Sequence, residues 1–215
     1  MSKLKASARA FSPISPLSKS IIPDVGYFNA IGNVINRSLT WRQFKQIPKG
    51  YGGRVGVLLY YNEDGVRHYI LNISNRKLYS DFGGGVKAKS TPYEGLVSEL
   101  VQEVPQWSDE LLRKMGDMGD KENRMIIYNN ENIETEEKGR KLRMETMIIL
   151  PVDKSILSTF RETKEVKELV VMNEDEFYAL LFNTVMVDDV YGDVVQHLNN
   201  GLVMIRNAIA SGWVI

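Results

Sequence analysis

The sequence predicts an α/β (α+β) fold in which a mixed β-sheet lies sandwiched between helices. Three observations carry this. Two β-branched, aromatic-rich runs, Arg54 to Tyr61 and Val66 to Ile73, flank an Asp64-Gly65 pair that favours a hairpin. The stretch DFGGGVKAKSTPYEGLVSELVQEVP, Asp81 to Pro105, reads as a strand end, a glycine turn, a short basic loop and an amphipathic helix. Further strands and helices then follow downstream.

Residues 1–23 are rich in Ser, Lys, Ala and Pro, with Lys3, Lys5, Arg9 and Lys19 and no acid, so they read as a flexible basic arm able to dock on a protein or nucleic-acid partner. Residues 24–50 read as an extension packed on the body, with Trp41 and Phe44 as anchors. The domain proper spans 51–182. Asn62 to Gly65 and Asn75 to Lys77 are turns, and Leu78 to Phe82 leads into Gly83, Gly84 and Gly85. Thr91, Pro92 and Glu94 form a capping box with proline at the first helical position. In the helix that follows, Val97, Leu100, Val101 and Val104 form the apolar face, and Glu99, Gln102 and Glu103 fall opposite.

Ser108 caps a short helix to Met115, and Met125 to Tyr128 reads as a strand. Asn129 to Lys141 reads as a charged loop at a solvated hairpin end. Met144 to Val152 and Val166 to Met172 are strands, and Asn173 with Glu176 caps a helix to about Phe182. Residues 183–215 read as a C-terminal helical extension, with a helix from Asp193 to about Ala210.

Composition narrows the chemistry. The chain has 215 residues, 43% hydrophobic and 25% charged, enough for a sizeable core. Lys+Arg and Asp+Glu both number 27, so an anionic ligand must be held by local charge. There is no cysteine, which excludes disulfides, thiolate catalysis and cysteine zinc sites, and two scattered histidines, His68 and His197, do not make a metal site. No apolar run spans a bilayer and no secretory h-region is present, so no membrane partner is expected. An intracellular, cytoplasmic home is compatible with this composition.

Glu99 and Glu103 stand four apart on a helix, where like charges repel unless a cation relieves them. Mg²⁺ or Mn²⁺ would do so through carboxylate oxygens, with the Gln102 amide oxygen between them. Gly84 and Gly85, with Lys87 and Lys89, offer backbone amides and positive charge for phosphate. Glutamates opposite an apolar stripe are more commonly a plain solvated face.

The stretch resembles a Nudix box, G-x5-E-x7-R-E-U-x-E-E-x-G-U with U aliphatic. With the first glycine on Gly84, the first glutamate falls on Ser90, the arginine on Ser98, the next glutamate on Glu99 and the aliphatic residue on Leu100. The glutamate pair falls on Gln102 and Glu103, and the closing glycine on Pro105. The leading hairpin, DFGGG, and the late EVKELVV segment followed by NEDEFYALL are also similar to the family, covering roughly Tyr51 to Phe182 in the family's order.

The resemblance implies a Nudix fold and a hydrolase that cleaves a pyrophosphate linkage in a nucleoside diphosphate derivative: a nucleotide, a nucleotide sugar or a capped RNA 5′ end. It implies Glu99 and Glu103 as catalytic metal ligands for Mg²⁺ or Mn²⁺, with Gln102, which brings no charge, and Glu165, for which Glu168 competes, completing the set. Gly84, Gly85 and Lys87 would bind substrate phosphates; Phe82 or Tyr61 could stack on a base, although aromatic residues at such places are more often core. The eroded box, with serines at the positions of the glutamate–arginine brace, leaves a second expectation: a catalytically degenerate Nudix-like binding or structural module.

Overall fold

A computed structural model of the chain describes residues 37–74, 77–118, 125–135, 139–183, 187–188, 194–195 and 198–210. The basic arm, most of the segment 24–50 ahead of Trp41, and Asp193 and His197 lie outside the described residues.

The mixed sheet between helices is what the structure shows. The strands are β1 (Arg37–Leu39), β2 (Gly52–Glu63), β3 (Val66–Ser74), β4 (Tyr79–Ser80), β5 (Phe82–Gly85), β6 (Met125–Thr135), β7 (Gly139–Pro151) and β8 (Val166–Asn173). They join one sheet in the order β1-β6-β7-β2-β3-β4, with β5 also pairing β2 and β8 pairing β3. The pairing of β2 with β7 is parallel and every other pairing in this sheet is antiparallel. Two short strands, β9 (Val187–Asp188) and β10 (Val194–Val195), pair separately.

Strand alternation supplies both cores. From β2, Val55, Val57, Leu59 and Tyr61 meet α1 (Trp41–Lys45), α2 (Pro92–Glu103) and α3 (Ser108–Asp117) through Trp41, Phe44, Leu96, Leu100, Trp107 and Leu111. Leu58 and Tyr60 point the other way. They join Tyr69, Leu71, Met147 and Ile149 against α4 (Glu174–Asn183) and α5 (Asn200–Ala210), through Phe177, Leu181, Leu202 and Ile205. The C-terminal helix α5 thus closes the second face of the sheet.

Local signals hold where a specific hydrogen bond or dihedral angle is at stake. Asp64 and Gly65 both take positive φ, 52° and 79°, as a two-residue hairpin turn of the sheet's own handedness requires. Thr91 accepts from the Glu94 amide at 3.1 Å, and Glu94 accepts from the Thr91 amide at 2.8 Å. Asn173 and Glu176 form the same reciprocal pair at the start of α4. Trp41 and Phe44 are buried as anchors.

Other expectations are corrected. The glycine turn is strand β5, paired with β2 from Val57↔Phe82 to Arg54↔Gly85. The charged run from Asn129 is not a loop: β6 extends to Thr135, with an irregularity between Asn129 and Asn132, and β7 starts at Gly139, because paired backbone outweighs side-chain charge at an open sheet end. Ser108 is the first residue of α3, not its cap; its hydroxyl donates to the Pro105 carbonyl. The last helix begins at Asn200, and Val194 and Val195 belong to β10. The inward face of α2 is Gly95, Leu96, Leu100, Glu103 and Val104, whereas Val101 is 51% exposed. For Phe82 and Tyr61 the more frequent reading, core rather than base-stacking, holds: they pack edge-on to Trp107 and stacked on His68 respectively.

Candidate active site

The inward rotation of α2 takes Glu103 into the protein. It is 8% exposed, and its Oε2 has no hydrogen-bond partner. Glu99, one turn earlier, is half-buried against β5. A Cβ added to Gly84 would lie 2.5 Å from Glu99 Oε2, so Gly84 makes room for that carboxylate. Gly83 is required for the adjoining approach: its φ is +153°, and a Cβ there would lie 2.2 Å from the Val55 carbonyl oxygen. Gly85 is exposed and uncrowded.

The loop before β8 brings a third carboxylate near. Thr163 donates through its hydroxyl to the Glu103 carbonyl at 3.1 Å. The same hydroxyl oxygen accepts from the amides of Glu165 (3.3 Å) and Val166 (3.0 Å). This ties the exposed Glu165 to the C-terminal end of α2. Glu168 lies further along β8, opposite Ile73.

Beneath Glu103 is a group that no sequence motif marked. Arg54 of β2 donates from Nη2 to Asp81 Oδ1 at 2.6 Å, with both side chains buried. Asn199, the residue before α5, donates from Nδ2 to the same Oδ1 at 2.8 Å, while its Oδ1 accepts from the Leu202 amide at 3.0 Å. The Asp81 carbonyl accepts from Asn72 at 3.0 Å. Two glycines make this cradle: a Cβ on Gly56 would lie 1.9 Å from Asp81 Oδ2, and one on Gly201 would lie 2.0 Å from Asp81 Oδ1. The sequence signal available was a lone Asp before the glycines and a lone Arg on an apolar strand, and neither indicates a partner.

Electrostatics follow from this packing. Burial, then the charges of Asp81, Glu99 and Glu165, push the Glu103 carboxyl up to about 9, against a weaker opposing hydrogen bond from the Gly83 backbone. Burial and Glu165 also raise Glu99, with Arg54 and Lys87 opposing. Burial disfavours the Arg54 charge, yet Asp81, with Glu145 and Glu103, holds it above its ordinary value.

Gln102 does not join the group. It is exposed and donates its amide to Ser98 Oγ at 3.0 Å along the helix, which turns the expected amide ligand to solvent. Lys87 is exposed, and its charge acts on Glu99.

The residues can be tested against a divalent ion. An orphaned buried carboxylate oxygen, with three further carboxylates within electrostatic reach, suits a hard cation. Among the described residues, however, no three acidic or histidine side chains are gathered as a ligand set. Glu99 and Glu165, long and not fully buried, would have to swing in.

No family model matches the chain, and no curated protein matches it. Solved structures do. The Nudix domain of Shewanella oneidensis NrtR, in complex with ADP ribose, aligns at 8% identity over 80% of this chain and 99% of that one, with a TM-score of 0.40. A Nudix hydrolase from M. smegmatis, RenU, aligns at 13% identity over 75% and 88%, with a TM-score of 0.39. A bifunctional NMN adenylyltransferase/ADP ribose pyrophosphatase from Francisella tularensis, in complex with AMP and a manganese ion, aligns at 11% identity over 80% and 45%, with a TM-score of 0.42.

Proposed function

We propose that the chain is a Nudix-type pyrophosphohydrolase acting on a nucleoside diphosphate-linked small molecule. The observation that supports this reading is the buried, unpartnered Glu103 Oε2 beside the glycine strand, on a carboxyl that feels the charges of Asp81, Glu99 and Glu165. Glu99, Glu103 and Glu165 would hold Mg²⁺ or Mn²⁺. When bound, the ion would polarise a phosphoryl oxygen and offset the charge that develops as water attacks phosphorus.

The chain's own groups do the rest. Burial and the neighbouring carboxylates favour the protonated form of Glu103, and this carboxyl would have to ionise to hold the ion. Glu99, half-buried in the space that Gly84 leaves, would reach the ion one helical turn from Glu103. Lys87, with the exposed backbone at Gly85 beside Gly84, would take a phosphate oxygen.

A specific observation favours a second reading, a binding module without turnover: Gln102 faces solvent and the carboxylates are not drawn into a ligand set. A hydrolysis assay on nucleoside diphosphate derivatives with Mn²⁺ separates the two. The hydrolase reading expects metal-dependent cleavage that Glu99→Gln and Glu103→Gln each reduce by at least about a hundredfold, on the order seen for loss of a group acting in the transition state. Nucleotide binding with no cleavage above those variants would establish the module instead.

A further inference from the structure

Arg54 Nη2, which donates to Asp81 Oδ1 at 2.6 Å, also donates to the Gly83 carbonyl at 3.3 Å. Two residues earlier in the strand, the Asp81 carbonyl accepts from Asn72 Nδ2 at 3.0 Å. Side chains therefore hold the carbonyls on either side of Phe82, and the peptide between them is fixed in direction. That peptide carries the Gly83 amide, and the Gly83 backbone hydrogen-bonds the Glu103 carboxyl.

Packing alone does not account for the buried pair. Taking a guanidinium and a carboxylate out of water is costly, and an apolar pair of similar volume is often as stable or more so. Here the two side chains are 9% and 0% exposed, and Arg54 Nη1 and Asp81 Oδ2 find no partner. What apolar side chains cannot do is grip a carbonyl. Gly83 needs such a grip, because glycine has the widest backbone freedom of any residue and this one sits at a φ of +153°.

Asn199 extends the unit to the layer on the second face of the sheet. Its Nδ2 donates to Asp81 Oδ1 at 2.8 Å and its Oδ1 accepts from the Leu202 amide at 3.0 Å, so the start of α5 is tied to the strand that meets Glu103.

We propose that the Arg54–Asp81 pair, latched to α5 by Asn199, is a positioning unit: it sets the Gly83 peptide against which the Glu103 carboxyl is held. The proposal rests on the hydrolase reading only in taking Glu103 as a ligand of the ion.

The test uses the full chain and the double variant Arg54→Met/Asp81→Asn, which removes both buried charges together and keeps an acceptor for Asn199. One readout is amide hydrogen exchange of Gly83 in EDTA, by NMR of glycine-labelled protein. Gly95, whose amide donates to the Thr91 carbonyl at 3.0 Å inside α2, is the reference. The other readout is the Mn²⁺ dissociation constant by calorimetry. Gly83 exchange should quicken and Mn²⁺ binding should weaken, each at least about tenfold, as for loss of a group that orients a metal ligand, with Gly95 exchange unchanged. Asn199→Ala should move both readouts the same way by severalfold, and it carries the test alone if the double variant does not fold. Unchanged Gly83 exchange overturns the proposal, as does quickened exchange with unchanged Mn²⁺ binding. Equal quickening of Gly83 and Gly95 also overturns it, since that marks a general loss of stability. If the wild-type chain itself binds no Mn²⁺, the hydrolase reading fails, and Gly83 exchange against Gly95 alone decides the proposal.

Discussion

Replacing Glu103 by glutamine should stabilise the ion-free chain at alkaline pH. The wild-type carboxyl titrates near 9 in the folded protein against an ordinary 4.5, so the folded chain holds this proton more tightly than the unfolded chain. Below the ordinary value both states are protonated and there is no penalty. As pH rises the unfolded chain releases the proton first, and stability falls until the folded-state value is passed. At pH 8 the gap is about 3.5 units, which at about 1.36 kcal/mol per unit sets an upper limit of about 5 kcal/mol. Relaxation and water entry reduce this, and about 2–3 kcal/mol is a reasonable expectation. For a chain of this size that corresponds to roughly 5–10 °C in melting temperature. The assay is thermal unfolding in EDTA at pH 5 and pH 8, followed by circular dichroism. Wild type should lose stability between the two, Glu103→Gln should lose much less, and the two should converge at pH 5. Parallel pH profiles for both proteins would refute the buried, crowded carboxyl.

Other expectations concern the cradle and the helix face. Asp81→Ala leaves Arg54 buried without its partner and should cost about 3–5 kcal/mol in denaturant unfolding, the usual consequence of halving a buried pair. Gly201→Ala places a methyl 2.0 Å from Asp81 Oδ1 and should destabilise by about 1–3 kcal/mol, whereas Gly65→Ala meets nothing within 4 Å and tests only the positive φ of 79°. Gln102→Ala should change the rate of Mn²⁺-dependent cleavage less than about twofold, since its side chain is bonded to Ser98 in solvent; a hundredfold fall would return it to the ligand set.

Much of the fold was legible because its signals are local. The Asp64-Gly65 turn and the Thr91 and Asn173 capping boxes each involve residues within a few positions of one another, and each forms as expected. The face of α2 was not. Periodicity favours Val97 and Val101 over Glu103, but the helix rolls to bring Gly95 onto Val86 and Glu103 toward the Arg54–Asp81 pair. That pair spans 27 residues, and the bond from Asn199 to Asp81 spans 118, so sequence spacing holds no trace of either. The charged run at Asn129 was read as a loop because side-chain charge says little about backbone pairing, which continues from Asn132↔Leu142 to Thr135↔Gly139. Of the candidate site, Glu99 and Glu165 act on the buried Glu103 through their charge, whereas Gln102 faces solvent, bonded to Ser98.

The most direct measurement is a calorimetric Mn²⁺ titration of the chain at pH 7.5, repeated in buffers of different ionisation enthalpy. The site described here predicts binding at micromolar to low millimolar Mn²⁺, lost on Glu103→Ala and weakened on Glu99→Gln, with release of close to one proton per ion from Glu103. Binding that neither substitution alters, or that releases no proton, would contradict it.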